Sequence, residues 1–157
     1  DEKWIRDTKE IKLPKKYRKF GGNIFEECLS HCIIAPSATI IHKDLFAKVG
    51  FFDESLEVCE DYDLWLRIAV ENEIGLVDKK LITKYGGDED QLSMKFWGMD
   101  RFRVRALEKL LEFHNSQEEL IKSVLIEKYT LLLKGAKKHD KIQDIYEYEK
   151  KIERLTN

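Results

Sequence analysis

Cys59-Glu60-Asp61-Tyr62-Asp63-Leu64-Trp65-Leu66-Arg67 is the stretch around which the rest of this chain can be organised. From Glu60 to Asn72 the apolar residues recur at helical spacing, with Leu64, Trp65, Ile68 and Ala69 on one face, which predicts an amphipathic helix. Three carboxylates, Glu60, Asp61 and Asp63, stand within four residues at its start. A helix N-terminus favours negative charge through its dipole and free N–H groups, so capping alone accounts for acids there. Spacing tells them apart. Asp63 and Arg67 are i and i+4, a ready surface ion pair of little chemical value. Asp61 is four before Trp65 and seven before Ile68 and projects onto the apolar side. A carboxylate held there, at the mouth of a cleft, is the better general-base candidate.

Upstream, Lys43 to Val49 reads as a short helix closed by Gly50 at the C′ position, and Phe51 to Leu56 as a loop or turn. Ile33 to Ile41 is expected to form a buried strand. Asn23 is placed to cap a short helix through Ile24, Phe25 and Leu29. Residues 1–20 are basic and broken by Pro14, with Lys12, Lys15, Lys16, Arg18 and Lys19 close together. Downstream, Gly75 to Asp78 and Leu81 to Tyr85 are short strand candidates, and Gly86 to Gln91 is a loop.

After about Phe96 the pattern turns wholly helical. Phe102, Ala106, Leu110 and Phe113 mark one helix, and Ser116-Gln117-Glu118-Glu119 has the form of a capping box opening a second. Leu120, Val124 and Leu131 form a stripe on that helix, with Ile121, Leu125 and Leu132 beside it and Gly135 as the expected stop. Ile142, Ile145, Tyr148, Ile152 and Leu155 mark a third. The fold class is therefore α/β, with few strands, followed by a three-helix C-terminal tail. The division falls at 1–96 and 97–157, and the strands are fewer than a self-sufficient sheet normally has.

The chain of 157 residues is 43% hydrophobic, enough for a real core. Its net charge of −2 gives no support to general polyanion binding. Nucleic-acid binding would rest on the basic start alone, without aromatic interleaving, and is not expected. Cys28, Cys32 and Cys59 form no CxxC pair and have no His or Cys partners at zinc spacing, so they read as reduced, mostly buried thiols of a cytoplasmic protein. No apolar run is long enough to span a bilayer.

Taken together, Pro36-Ser37-Ala38, Val49-Gly50, Phe52-Asp53-Glu54 and Glu60 through Arg67 resemble the family 2 glycosyltransferases. The resemblance covers roughly residues 33 to 105. Trp4-Ile5-Arg6, Lys19-Phe20-Gly21-Gly22 and Trp97-Gly98-Met99-Asp100-Arg101-Phe102-Arg103 are similar to one bacterial branch. The resemblance implies the C-terminal, acceptor-side part of a GT-A type sheet domain. It implies transfer of a sugar from a nucleoside diphosphate sugar to a hydroxyl on a saccharide or lipid-linked acceptor, with inversion. Asp61 matches the family's catalytic base, and Glu60 beside it is expected to bind substrate. Gln91-Leu92-Ser93 matches a further family pattern, so Gln91, Ser93 and the nearby Trp97 are expected at the substrate. Where that pattern commonly has a His near the metal and diphosphate, this chain has Asp88, an oxygen donor suited to a hard cation. A divalent metal, Mn²⁺ or Mg²⁺, is implied for the intact enzyme.

The family begins with a βαβ nucleotide-binding half ending in Asp-x-Asp, and nothing of that kind precedes Trp4. The chain is thus expected to be a fragment, inactive alone and holding no metal of its own. Trp65 reads as core, since a large aromatic on the apolar face of a helix packs inward. The basic run from Lys12 to Lys19 reads as a solvated segment, with contact to an anionic membrane surface as its functional alternative. A different class of reading makes the tail a helical interaction or self-association module without catalysis. Homo-oligomers would then form through surface that would otherwise stay exposed.

Overall fold

A computed structural model describes residues 1–12, 14–85, 96 and 98–157. The chain divides into two units, Asp1–Trp97 and Gly98–Asn157. Among the described residues there are three strands and six α-helices, a mixed α/β architecture.

In the first unit, β1 (Glu2–Arg6) and β2 (Lys9–Ile11) form an antiparallel hairpin, with Trp4 opposite Ile11 and Arg6 opposite Lys9. Asp7 and Thr8 join them with φ of 48° and 66°. Two left-handed residues in a two-residue loop give a turn whose twist matches that of the flanking strands. β3 (Ile82–Tyr85) lies parallel to β1 on its other side, giving the order β2-β1-β3. The basic opening segment therefore contains ordered strand that charge content had hidden. Glu2 explains it. Its side chain is buried and takes Lys19 Nζ at 3.1 Å, Lys84 Nζ at 3.2 Å and the Trp4 indole N–H at 3.1 Å. These partners come from β1, β3 and the chain beyond β2, so the charges fasten the sheet together.

The expected strand at 33–41 is not formed. Pro36–Ala38 makes a turn of 3₁₀-helix, Thr39 donates its hydroxyl back to Ala35, and Ile40 is fully exposed. A strand needs a paired neighbour, and none of the three strands runs beside this segment; Pro36 also has no N–H to give. Gly75–Asp78 likewise forms no strand. The one bridge there is Gly22 with Ile74, bonded in both directions at 2.8 Å. A side chain on neighbouring Gly21 would meet Leu76 Cβ at 3.0 Å, so glycine allows this close approach.

Three helices complete the unit. α1 (Phe25–Ser30) begins after Ile24, not at an Asn23 cap, and buries Phe25, Cys28 and Leu29. α2 (Lys43–Val49) ends as expected at Gly50, whose N–H bonds Phe46 O at 2.9 Å. Gly50 has φ 80° and ψ 178°, a region open essentially to glycine alone. α3 (Glu60–Ala69) is buried on more than one face: Tyr62, Asp63, Leu64, Trp65, Leu66, Ile68 and Ala69 are all enclosed. Leu64, Trp65 and Ile68 centre a cluster that takes in Cys32, Ile34, Leu45, Phe46 and Ile74.

In the second unit, α4 (Asp100–Phe113), α5 (Glu118–Lys138) and α6 (Ile142–Thr156) follow in sequence. Phe102, Ala106 and Leu110 are buried as their spacing requires, while Phe113 is exposed. On α5 the inward stripe is Ile121, Leu125 and Tyr129, and Leu131 faces outward. Ser116 makes no capping box; it lies in a 3₁₀ turn, Asn115–Gln117, and Gln117 precedes the helix. Gly135 sits inside α5, which runs on to Lys138, because one glycine costs only about 1 kcal/mol in a helix interior. Buried Lys128 reaches Asp100 at 3.1 Å, Arg103 meets the same carboxylate at 3.1 Å, and Lys151 bonds Glu108 at 2.5 Å.

Two outcomes are expected from this packing. Gly50→Ala should cost about 1–3 kcal/mol in urea unfolding, through backbone strain, since a Cβ there meets only Arg67 Nη1 at 3.5 Å. Glu2 is pushed up by burial, but the Trp4 hydrogen bond and the Lys19 and Lys84 charges outweigh this and hold its carboxyl below the ordinary 4.5. A lowered folded value contributes stability that is present above the unfolded value and lost as pH falls through the folded one. Glu2→Gln should therefore reduce stability at neutral pH and flatten its loss below about pH 4.5; an unchanged acid limb in pH-dependent unfolding would remove Glu2 from that role.

Candidate functional site

The site is built at the start of α3. Its leading residue, Cys59, is buried and left-handed, with φ 66° and ψ 18°, and gives no side-chain cap. Non-glycine residues enter this region at a cost, and the usual capping residue is extended instead. The strained entry sets three acids, Glu60, Asp61 and Asp63, into the first turn. Their environments differ.

Asp63 is buried, against the surface location its spacing suggested. Arg67 donates to Asp63 Oδ2 from Nε at 3.0 Å and from Nη2 at 2.7 Å. The same guanidinium donates to Phe51 O at 2.8 Å and also to Val49 O. Arg67 therefore reaches across to the end of α2 and ties the Gly50–Phe51 turn to α3. Phe51 is thereby held with its ring stacked on Phe46, centroids 5.2 Å apart. Asp63 is buried and ion-paired to Arg67 through Oδ2, and its role is to hold that guanidinium.

Asp61 is half-buried. One carboxylate oxygen accepts the Tyr62 N–H at 2.7 Å, and the other lies 3.3 Å from Cys32 Sγ, which also approaches Ile34 O at 3.4 Å. Tyr62 in turn donates its hydroxyl to Leu29 O at 2.5 Å, fastening α3 to α1. Glu60 opens the helix and is also half-buried. Burial, then the Asp61 charge and hydrogen bond, push the Cys32 thiol well up, and burial pushes Cys28 up to about 12. All three cysteines are free thiols, as expected.

Beside α3 opens a cleft of about 740 Å³ whose wall includes Trp65, Ile34, Ile41, Leu45, Ile74 and Lys19. Trp65 is 3% exposed and packed in the apolar cluster, where sequence spacing placed it. Its indole N–H has no hydrogen-bond partner among the described residues. Lys19 donates to Ile33 O at 2.5 Å while pairing with Glu2.

Asp88, Gln91, Ser93 and Trp97 lie outside the described residues. Among the described residues no group of three or more His, Cys, Asp or Glu side chains could hold a metal ion. No described helix is long and apolar enough to cross a membrane. Two contacts escaped sequence reasoning: Cys32 with Asp61, and Arg67 with the α2 end. Neither has a spacing signature, because each joins segments that only the fold brings together.

The chain is similar to proteins described as uncharacterized glycosyltransferases in Rickettsia. It is 39% identical over 57 residues to those of Rickettsia typhi and Rickettsia prowazekii, covering 36% of this chain and 18% of theirs. It is 37% identical over 62 residues to one from Rickettsia felis, covering 40% of this chain and 10% of the relative. The chain thus spans less than a fifth of the curated relatives it matches. No family model and no solved structure matches.

Arg67→Ala should cost about 3–5 kcal/mol, because it removes the ion-pair partner of a buried carboxylate. Asp63→Asn combined with Arg67→Met should recover part of that loss. Additive destabilisation in a double-mutant cycle would show that the two side chains act independently.

Proposed function

We propose that this chain is the acceptor-side part of an inverting glycosyltransferase of the GT-A type, with Asp61 as its catalytic base. The observation that carries the reading is the state of Asp61. Of the acids in the first turn of α3, Asp63 is buried and ion-paired to Arg67, whereas Asp61 is half-buried and oriented at both oxygens, with lone pairs left to accept a proton. The partial similarity to glycosyltransferases and the family resemblance of Glu60 through Arg67 support it.

In the proposed step, the acceptor hydroxyl gives its proton to Asp61 while its oxygen attacks the anomeric carbon of the donor. The bond from that carbon to the diphosphate oxygen breaks, and the nucleoside diphosphate leaves with the electron pair. Attack opposite the leaving group inverts the centre. A base within hydrogen-bond reach of the attacking oxygen is worth about 10²–10⁴-fold in rate. The donor, and the divalent ion that the resemblance implies, belong in this reading to a nucleotide-binding half. Glu60, Gln91, Ser93 and Trp97 are proposed to meet substrate, with Asp88 available to a cation. The proposed setting is the cytoplasmic side of a membrane or the cytoplasm itself.

A second reading has one observation in its favour. α6 encloses none of its residues fully, and Ile142 and Tyr146 on it are 75% and 61% exposed, as an interaction helix would require. Sedimentation velocity distinguishes the two: a concentration-dependent dimer abolished by Ile142→Asp with Tyr146→Asp would favour the interaction module.

Asp61→Asn in the complete gene product should lower turnover by about two orders of magnitude or more while leaving donor affinity nearly unchanged. Calorimetric titration of nucleoside diphosphate sugars with Mn²⁺ should give no heat of binding to this chain alone. Metal-dependent binding here would move the donor site onto the chain and overturn the division of labour.

A further inference from the structure

We propose that Cys32 is a positioning residue for Asp61: its thiol holds the carboxylate oxygen opposite the one held by Tyr62, and so fixes the orientation of the proposed base. This rests on the assignment of Asp61 in the preceding subsection and adds a residue that neither motif nor spacing identified.

The geometry carries it. Asp61 Oδ1 takes the Tyr62 N–H at 2.7 Å, and Oδ2 faces Cys32 Sγ at 3.3 Å, so both ends of the carboxylate are restrained from different directions. The thiol has one hydrogen and two acceptors in reach, Asp61 Oδ2 and Ile34 O. A charged acceptor makes the stronger bond, so the hydrogen resides toward Asp61. Cys32 lies just past α1, and Tyr62 ties the same region to α3 through Leu29 O. The thiol is thus carried on a segment that cannot drift from α3 independently. A thiol in this place restrains the carboxylate more weakly than an ammonium would and adds no charge to compete for the acceptor's proton. Cys32 is also half-buried where Cys28 and Cys59 are fully buried. The Asp61 charge opposes formation of a Cys32 thiolate, and this makes the contact measurable from the sulfur side.

The test reads both ends of the contact on the folded chain. Iodoacetamide alkylation at about pH 8, followed for each cysteine by peptide mass spectrometry, should be slow at all three sites in the wild type. Asp61→Asn should speed Cys32 by about threefold or more, since removing the carboxylate charge beside the sulfur favours its thiolate, with Cys28 and Cys59 unchanged as internal controls. An unchanged Cys32 rate overturns the proposal. If Asp61→Asn unfolds the chain, all three cysteines react together, and the decision passes to Cys32→Ala and Cys32→Ser. Hydrogen exchange at the Tyr62 amide should accelerate at least about threefold in the alanine variant and return toward wild type in the serine variant, which keeps a donor. Equal exchange in all three proteins overturns the proposal. Loss of turnover in Asp61→Asn with unaltered Cys32 reactivity sinks this inference and leaves the base assignment standing. Retained turnover in Asp61→Asn sinks the base assignment, and the positioning role with it.

Discussion

The guanidinium of Arg67 is the constraint on which the rest of the first unit depends. It satisfies a buried carboxylate one turn away and two carbonyls at the end of another helix, using hydrogen bonds in three directions. A buried pair of charges contributes little net stability by itself, because desolvation offsets the attraction. What it does contribute here is geometry. Arg67 ties the turn through Gly50 and Phe51 to α3 by donating to the Val49 and Phe51 carbonyls. Arginine suits this task and lysine does not, since a planar fork reaches several acceptors at once.

From that anchor the acids of α3 take different surroundings. Asp63 is buried against Arg67. Asp61, two residues earlier, takes the Tyr62 N–H of its own helix on one oxygen and turns the other toward the Cys32 thiol. Adjacent acids of the same helix turn thus take a structural and a candidate catalytic role, decided by which elements each one faces. The left-handed Cys59 places them, and its strain is balanced by burial of Tyr62, Leu64 and Leu66 just beyond it.

The second unit is organised differently. Its core is a run of apolar side chains on α4 and α5, bridged to charge at Lys128–Asp100 and Lys151–Glu108. Burial pushes the Tyr129 hydroxyl well up, with Glu108 adding its charge and hydrogen bond, so Tyr129 stays neutral where it packs against Tyr148. Long local helices of this kind need few distant contacts to be specified, which is why their positions were readable from periodicity.

The sequence by itself determined the helices: α2 with its Gly50 stop, the amphipathic α3, and the three helices of the tail all follow from 3.6-residue spacing. It also made Asp61 the proposed base among its neighbours, through the offset to Trp65 and Ile68. Leu81 to Tyr85 was legible as a strand, and β3 lies there; tertiary structure alone decided the β1–β2 hairpin, the depth of Asp63 and Arg67, and the meeting of Cys32 with Asp61. β1 is hidden by its charges, which make sense only once Lys19 and Lys84 converge on Glu2, whereas the apolar run at 33–41 looks like a strand and finds no neighbour to pair with. The physical reason is the same in each case. A helix satisfies its backbone from within its own few residues, but a strand, a buried ion pair and a thiol–carboxylate contact are completed by residues far away in the chain.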